Sequence, residues 1–134
     1  MTRKRLQPDN PVEWLNRAKS SLALAKQRSR DIYLEDLCFQ AQQAAEKAIK
    51  AVYISKKLVF PYIHDIAQLL AALEKEGVII PNDIKTASTL TLYAAHTRYP
   101  GLEEGPIRDE EYQEALTLAE HVVVWAEKIM KPQQ

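Results

Sequence analysis

Leu37-Cys38-Phe39-Gln40-Ala41-Gln42-Gln43-Ala44-Ala45-Glu46-Lys47-Ala48-Ile49-Lys50-Ala51 is the stretch that decides the fold. Alanine, glutamine, glutamate and lysine dominate it, and all favour helix. Leu34, Leu37, Cys38, Ala41, Ala45, Ala48 and Val52 recur at spacings of three and four, which makes one apolar stripe. The segment QAQQAAEK is rich in small side chains, so a neighbouring helix can approach it closely. A helix is expected over about residues 32 to 56, ended by Lys56, Lys57 and Pro61.

Outward from this run the same period continues. Asn10-Pro11-Val12-Glu13 reads as a helix start: Asn10 caps, Pro11 suits the first helical position, and Glu13 completes a capping box. Val12, Leu15, Ala18, Leu22 and Ala25 give the apolar face of a first helix over about residues 11 to 28, with Trp14 beside it. Ile63, Ile66, Leu69, Leu70 and Leu73 predict a third helix over about residues 62 to 76, stopped by Gly77. After the short apolar connector Val78-Ile79-Ile80, Pro81-Asn82-Asp83 opens a fourth helix with Ile84, Ala87, Leu90, Ala94 and Ala95 inward. Thr97 to Arg108 holds two of the three glycines and two prolines, and reads as a long loop. A last helix follows Asp109. Its Val122-Val123-Val124-Trp125 is apolar nearly all round, so part of it should meet another chain or the first helix. Short connections favour antiparallel neighbours. The expected fold is all-α, an antiparallel up-and-down helical bundle of four to five helices. Residues 10–131 form its single domain, behind a flexible basic N-terminal arm, residues 1–9.

Composition bounds the function. The chain has 134 residues with 46% hydrophobic and 27% charged, which fits one globular domain. Lys+Arg and Asp+Glu are both 18, so no overall basic field draws in nucleic acid. The basic start MTRKR reads as a solvated terminus in preference to an arm reaching for phosphate. The one cysteine, Cys38, cannot form an intrachain disulfide and reads as a buried thiol. No run approaches the length of a membrane span and no secretory segment follows the basic start, so a cytoplasmic location is expected.

No standard catalytic site is spelled out. His64, His96 and His121 lie too far apart in sequence for familiar zinc spacing, so no metal and no cofactor is expected. Glu103 and Glu104 read as solvated loop residues. Glu46 and Lys50, four apart, read as an ordinary surface ion pair. His64-Asp65 opens the third helix, with Asp65 favourable to its dipole; a polar pocket is the functional alternative. Tyr93, His96, Arg98 and Tyr99 cluster where the fourth helix meets the long loop. Arginine forks onto phosphate and tyrosine stacks on a base, so these types suit nucleotide recognition. A helix C-terminus stabilised by His and Arg explains them equally well.

Three pieces together resemble a family. The Leu37–Ala51 run, then His64-Asp65-Ile66 with Leu69-Leu70, then Tyr93 through Arg98-Tyr99-Pro100, resemble HEPN domains in order and spacing. The resemblance spans about residues 10 to 130, and it implies a helical bundle that usually dimerises. HEPN proteins are often encoded beside a minimal nucleotidyltransferase and act with it, commonly as a toxin–antitoxin pair. Many are metal-independent ribonucleases in which an arginine is followed four to six residues later by a histidine, the two motifs meeting across the dimer. Here none of the seven arginines is followed by a histidine at that spacing, and His96 precedes Arg98. The resemblance therefore implies a noncatalytic, homodimeric module that pairs with a minimal nucleotidyltransferase. Its candidate nucleotide-binding residues are Arg98, Tyr99, His96, Tyr93, His64 and Asp65. The alternative is a divergent ribonuclease acting on RNA, in which His64, His96 and Arg98 converge.

Overall fold

The structure, a computed structural model, describes residues 3–94 and 106–131. Its helices are α1 (Pro11–Ala25), α2 (Leu34–Ser55), α3 (Ile66–Lys75), the single turn α4 (Asn82–Lys85) and α5 (Asp109–Met130). A 3-10 helix, Thr86–Ala94, continues α4. No strand occurs among the described residues. The all-α bundle expected from the sequence is the fold found.

The Leu37–Ala51 run forms the centre of the bundle. Leu37, Cys38, Ala41, Ala44, Ala45, Ala48, Ile49, Ala51 and Val52 are all buried. Helix α2 packs on α1, on α5 and on the 3-10 helix. Its alanines bring the neighbouring backbones close, and the larger side chains that fill the core come from the neighbours: Leu15, Ile66, Leu69, Leu73, Ile84, Leu90 and Tyr112. Two tyrosine hydroxyls are satisfied inside it. Tyr53 donates to the Leu69 carbonyl at 2.6 Å, and Tyr112 donates to the Ala25 carbonyl at 2.7 Å.

Cross-links fix the directions. Helix α5 runs antiparallel to α1, since Ala25 meets Tyr112 while Lys19 pairs with Glu127. Helix α2 is antiparallel to α1 as well, with Ser21 opposite Lys47 and Trp14 opposite Lys50. One connection departs from strict alternation. Residues 56–65 carry the chain back along α2, so that His64 meets Glu46 and Leu69 meets Tyr53. Helix α3 therefore runs in the same direction as α2. The 3-10 helix then returns alongside α3, with Lys85 paired to Glu74 and the Thr91 hydroxyl accepting from the Ile66 N–H at 3.0 Å.

The helix ends show which local signals were decisive. Asn10 caps α1 as expected, its Oδ1 accepting from the Val12 N–H at 2.9 Å. The expected capping box is absent. Glu13 instead accepts from the Leu6 N–H at 2.8 Å and from Arg17, because residues 3–8 turn back along α1. Val12, expected on the apolar face of α1, is exposed. Both α2 and α3 end in Schellman motifs. In α3, Gly77 takes the left-handed position (φ 94), and the Val78 N–H reaches the Leu73 carbonyl. In α2 the equivalent position is Lys57 (φ 59), and the Leu58 N–H reaches the Tyr53 carbonyl.

One expectation about packing changes, and a second is met within the chain. The fourth segment leaves α geometry after one turn. Thr86 and Thr89 turn their hydroxyls onto the carbonyls of Asp83 and Thr86, and the buried residues Ile84, Ala87 and Leu90 recur every three, the 3-10 repeat. In α5, Val122, Val123 and Trp125 are buried within the chain, and only Val124 of that run is exposed. The apolar run is thus spent on the chain's own helices, chiefly α2. Cys38 is fully buried as expected, and desolvation pushes its thiol up to about 12.

Candidate functional site

Glu46 and Lys50 lie one turn apart on α2, and the structure corrects their reading as a surface pair. Their side chains are only 4% and 11% exposed. An i,i+4 pair sits on the surface when it lies on the free face of its helix, but Glu46 and Lys50 lie on a covered face of α2. The Lys50 Nζ lies 3.8 Å from Glu46 Oε2, 5.1 Å from the Phe60 ring centre and 6.0 Å from that of Trp14. The ammonium is thus held between a carboxylate and two aromatic faces, an arrangement that offsets the loss of water.

The 56–65 connection closes this cluster from outside. Phe60 packs edge-on against Trp14 at 5.4 Å and against Tyr53 at 6.4 Å, and Tyr62 meets Phe60 at 6.1 Å. His64 Nδ1 lies 2.9 Å from Glu46 Oε1. An ionised carboxylate only accepts, so Nδ1 is the donor in this pair. A neutral imidazole then has its lone pair on Nε2. The His64 side chain is 74% exposed, so the ring is anchored at one nitrogen and open to solvent. A buried carboxylate that orients a solvent-facing imidazole is an arrangement able to accept a proton or hold a hydrogen-bonding ligand.

The other candidates divide between two places and a third group. Asp65, next to His64, is the N-cap of α3, its Oδ1 accepting from the Gln68 N–H at 3.3 Å. That satisfies the helix start, as its sequence position suggested. Tyr93 faces the other way. It lines a groove of about 170 Å³ between the 3-10 helix and the start of α5, with Thr89, Leu92, Glu111 and Glu114. Its hydroxyl is pushed up to about 12, by burial first and then by the charges around it. His96, Arg98 and Tyr99 lie outside the described residues, as do Glu103 and Glu104.

The structure thus brings His64 together with Glu46 and Lys50, residues the sequence reading had set aside. A signal was present. Gln42, Glu46 and Lys50 form a polar row at steps of four inside an alanine-rich helix, and all three are buried. The Gln42 Oε1 accepts from Gln43 at 2.8 Å, while its Nε2 finds no partner. No group of three or more His, Cys, Asp or Glu among the described residues could hold a metal ion. Nor is any helix among them long and apolar enough to cross a membrane.

Comparison with known proteins fits this architecture. The family model for the HEPN domain matches residues 12–129. The crystal structure of TT1696 from Thermus thermophilus is similar at 33% identity and a TM-score of 0.80, over 90% of this chain and 98% of that one. The crystal structure of ST0689, an archaeal HEPN homologue, is similar at 27% identity and a TM-score of 0.73, over 96% of this chain and 100% of that one. No curated protein matches. With the family model covering most of its length, the chain belongs to the HEPN domain family.

Proposed function

We propose that this chain is a noncatalytic HEPN module that dimerises, pairs with a minimal nucleotidyltransferase in a toxin–antitoxin-like system, and binds a nucleotide. The observation that carries the reading is the surface of the 56–65 connection. Val59 and Tyr62 are 91% and 94% exposed there. They stand on a base fixed by Phe60, Trp14, Tyr53 and the His64–Glu46 bond. Large apolar side chains presented to water from a rigid base are what a protein partner buries, and an exposed tyrosine is a frequent anchor. Family membership supports the choice of partner. The absence of any arginine followed four to six residues later by histidine supports a noncatalytic role. The nucleotide reading rests on residue type in the sequence, Arg98 suiting phosphate and Tyr93 and Tyr99 suiting a base, while His64 and Asp65 stand apart from Tyr93 in the fold.

The test is light scattering on the protein alone and mixed with a purified minimal nucleotidyltransferase from the same genome. A two-chain mass, and a complex lost in Val59→Ser/Tyr62→Ser, are the expected results. A mass of 15.3 kDa at every concentration, with no complex, contradicts the reading.

One observation favours a second reading, the divergent ribonuclease. With Nδ1 of His64 held by Glu46, the free Nε2 is placed to take a proton from a ribose hydroxyl. Metal-independent cleavage of RNA by the purified protein, lost in His64→Ala, would replace the first reading with this one.

A further inference from the structure

We propose that the pocket between residues 3–5 and the first half of α1 is a phosphate-binding site. The inference stands apart from the pairing and nucleotide readings above, since it uses none of their residues. Arg3, Lys4, Arg5 and Arg17 line this pocket with Asn16 and Ser20. Among the described residues its only acid is Glu13. The whole chain carries 18 cations and 18 anions, so four cations against one carboxylate in one small pocket is a marked local excess.

The pocket is built, not an accident of floppy side chains. Glu13 is the fixed point, with its side chain 7% exposed. One of its oxygens takes the Leu6 N–H and the other takes Arg17 Nε. The carboxylate thereby holds the returning N-terminal segment and the Arg17 guanidinium side by side. Each of its oxygens is engaged by one donor, and its charge is offset by Arg17. The Leu6 N–H, first, and Arg17 hold its pKa below the usual carboxylate range, so it stays ionised in this role. Arg3 is anchored in turn by one nitrogen, Nη1, donating to Asn16 Oδ1 at 2.9 Å. The remaining donors of Arg3, the terminal nitrogens of Arg17, and all of Lys4 and Arg5 make no hydrogen bond among the described residues.

A further cation, Lys47, lies near enough to Arg17 to feel its charge. Lys47 on α2 has its amine pushed down, by burial first and then by the Arg17 charge. Its one hydrogen bond is to the neutral Ser21 hydroxyl at 2.9 Å. Such a field favours an anion. Three guanidinium forks favour phosphate, whose oxygens accept paired N–H donors. The pocket of about 170 Å³ is open to solvent and admits a phosphate group, the rest of a larger ligand lying outside it. The shared chemistry is therefore a phosphate ester, supplied either by the backbone of single-stranded RNA or by the terminal phosphates of a nucleotide.

The experiment measures binding of a short fluorescent single-stranded RNA between about 50 and 200 mM salt, and thermal shifts with ATP and with pyrophosphate. Wild type is compared with Arg3→Ala/Arg5→Ala and with Lys75→Ala/Lys85→Ala, which removes two cations elsewhere. The arm variant replaces no helical residue, its one lost contact to a helix is the exposed Arg3–Asn16 bond, and an unchanged melting temperature without ligand confirms its fold. Wild type is expected to bind at least one probe, and the arm variant to bind it at least tenfold more weakly. With RNA, losing two phosphate contacts should also flatten the salt slope by about 1.4. Binding of RNA alone assigns the site to backbone phosphate; binding of ATP and pyrophosphate assigns it to terminal phosphate. The proposal is overturned if wild type binds none of the three. It is equally overturned if the arm variant binds like wild type, or if the control variant loses as much.

Discussion

Replacing Glu46 by alanine is predicted to destabilise the protein far more than an i,i+4 ion pair would suggest. On a solvated helix face such a pair contributes roughly 0.3–0.5 kcal/mol. Here the Lys50 side chain is 11% exposed and the Glu46 carboxylate 4% exposed, and Glu46 also holds His64. Removing the acid leaves a buried ammonium without its counter-charge, and it leaves His64 without its acceptor. Breaking a buried pair costs about 3–5 kcal/mol, and the lower end applies because Phe60 and Trp14 still face the ammonium. A loss of about 3 kcal/mol lowers the melting temperature by about 10 °C in a domain of this size. Lys50→Met should cost less, since Glu46 keeps His64. The double variant Glu46→Leu/Lys50→Met should return to within about 1 kcal/mol of wild type, because apolar side chains of similar volume replace a buried pair at little cost. Urea denaturation of wild type, Glu46→Leu, Lys50→Met and the double variant gives the cycle, with Glu46→Ala measured beside them. A loss below about 1 kcal/mol for Glu46→Ala, or a double variant at the sum of the singles, would refute the buried-pair argument.

Lys57→Gly should stabilise the protein by about 0.5–1 kcal/mol, the left-handed strain relieved less the extra freedom of glycine in the unfolded chain. Urea midpoints check it, with Gly77, which closes the same motif on α3, as the structural precedent. Cys38, buried and with its thiol pushed up to about 12, should resist a thiol reagent at pH 8 in the native state and react fully in denaturant. Rapid native labelling would contradict its placement. Glu13, Glu111 and Glu127 all have pKa values held below the usual glutamate value of 4.5, by the N–H groups of Leu6 and Arg108 and by Lys19 respectively. Folded values below unfolded ones contribute stability that is present above pH 4.5 and lost as the pH falls through the folded values. Melting temperature should therefore hold down to about pH 5 and fall below 4.5, and Glu13→Gln should flatten that fall.

The apolar stripes were legible because burial on one face imposes a period, and the stripe of α2 is the core as read. The Gly77 stop and the Asn10 cap were legible because each is a local hydrogen-bond arrangement. What sequence reading could not supply was which charges have a free face. Glu46–Lys50 and a surface pair have the same spacing, and only the neighbours covering that face of α2 distinguish them. The capping box failed for a similar reason: Leu6, seven residues before Glu13, competed for the carboxylate. The valine run of α5 was expected to meet another chain or the first helix, and α2, α1 and the other helices of the chain cover most of it. The exposed apolar side chains sit instead on the 56–65 connection, which the period rule did not single out. Of the site, His64 and Asp65 were found by their position before α3, but the partner of His64 lies eighteen residues earlier on another helix.

The most direct test of the central claim is light scattering of this chain mixed with a purified minimal nucleotidyltransferase from the same genome, beside the Val59→Ser/Tyr62→Ser variant. A mixed complex built on a two-chain HEPN core is expected, as is its loss in the variant. A chain that stays at 15.3 kDa and forms no complex would contradict it.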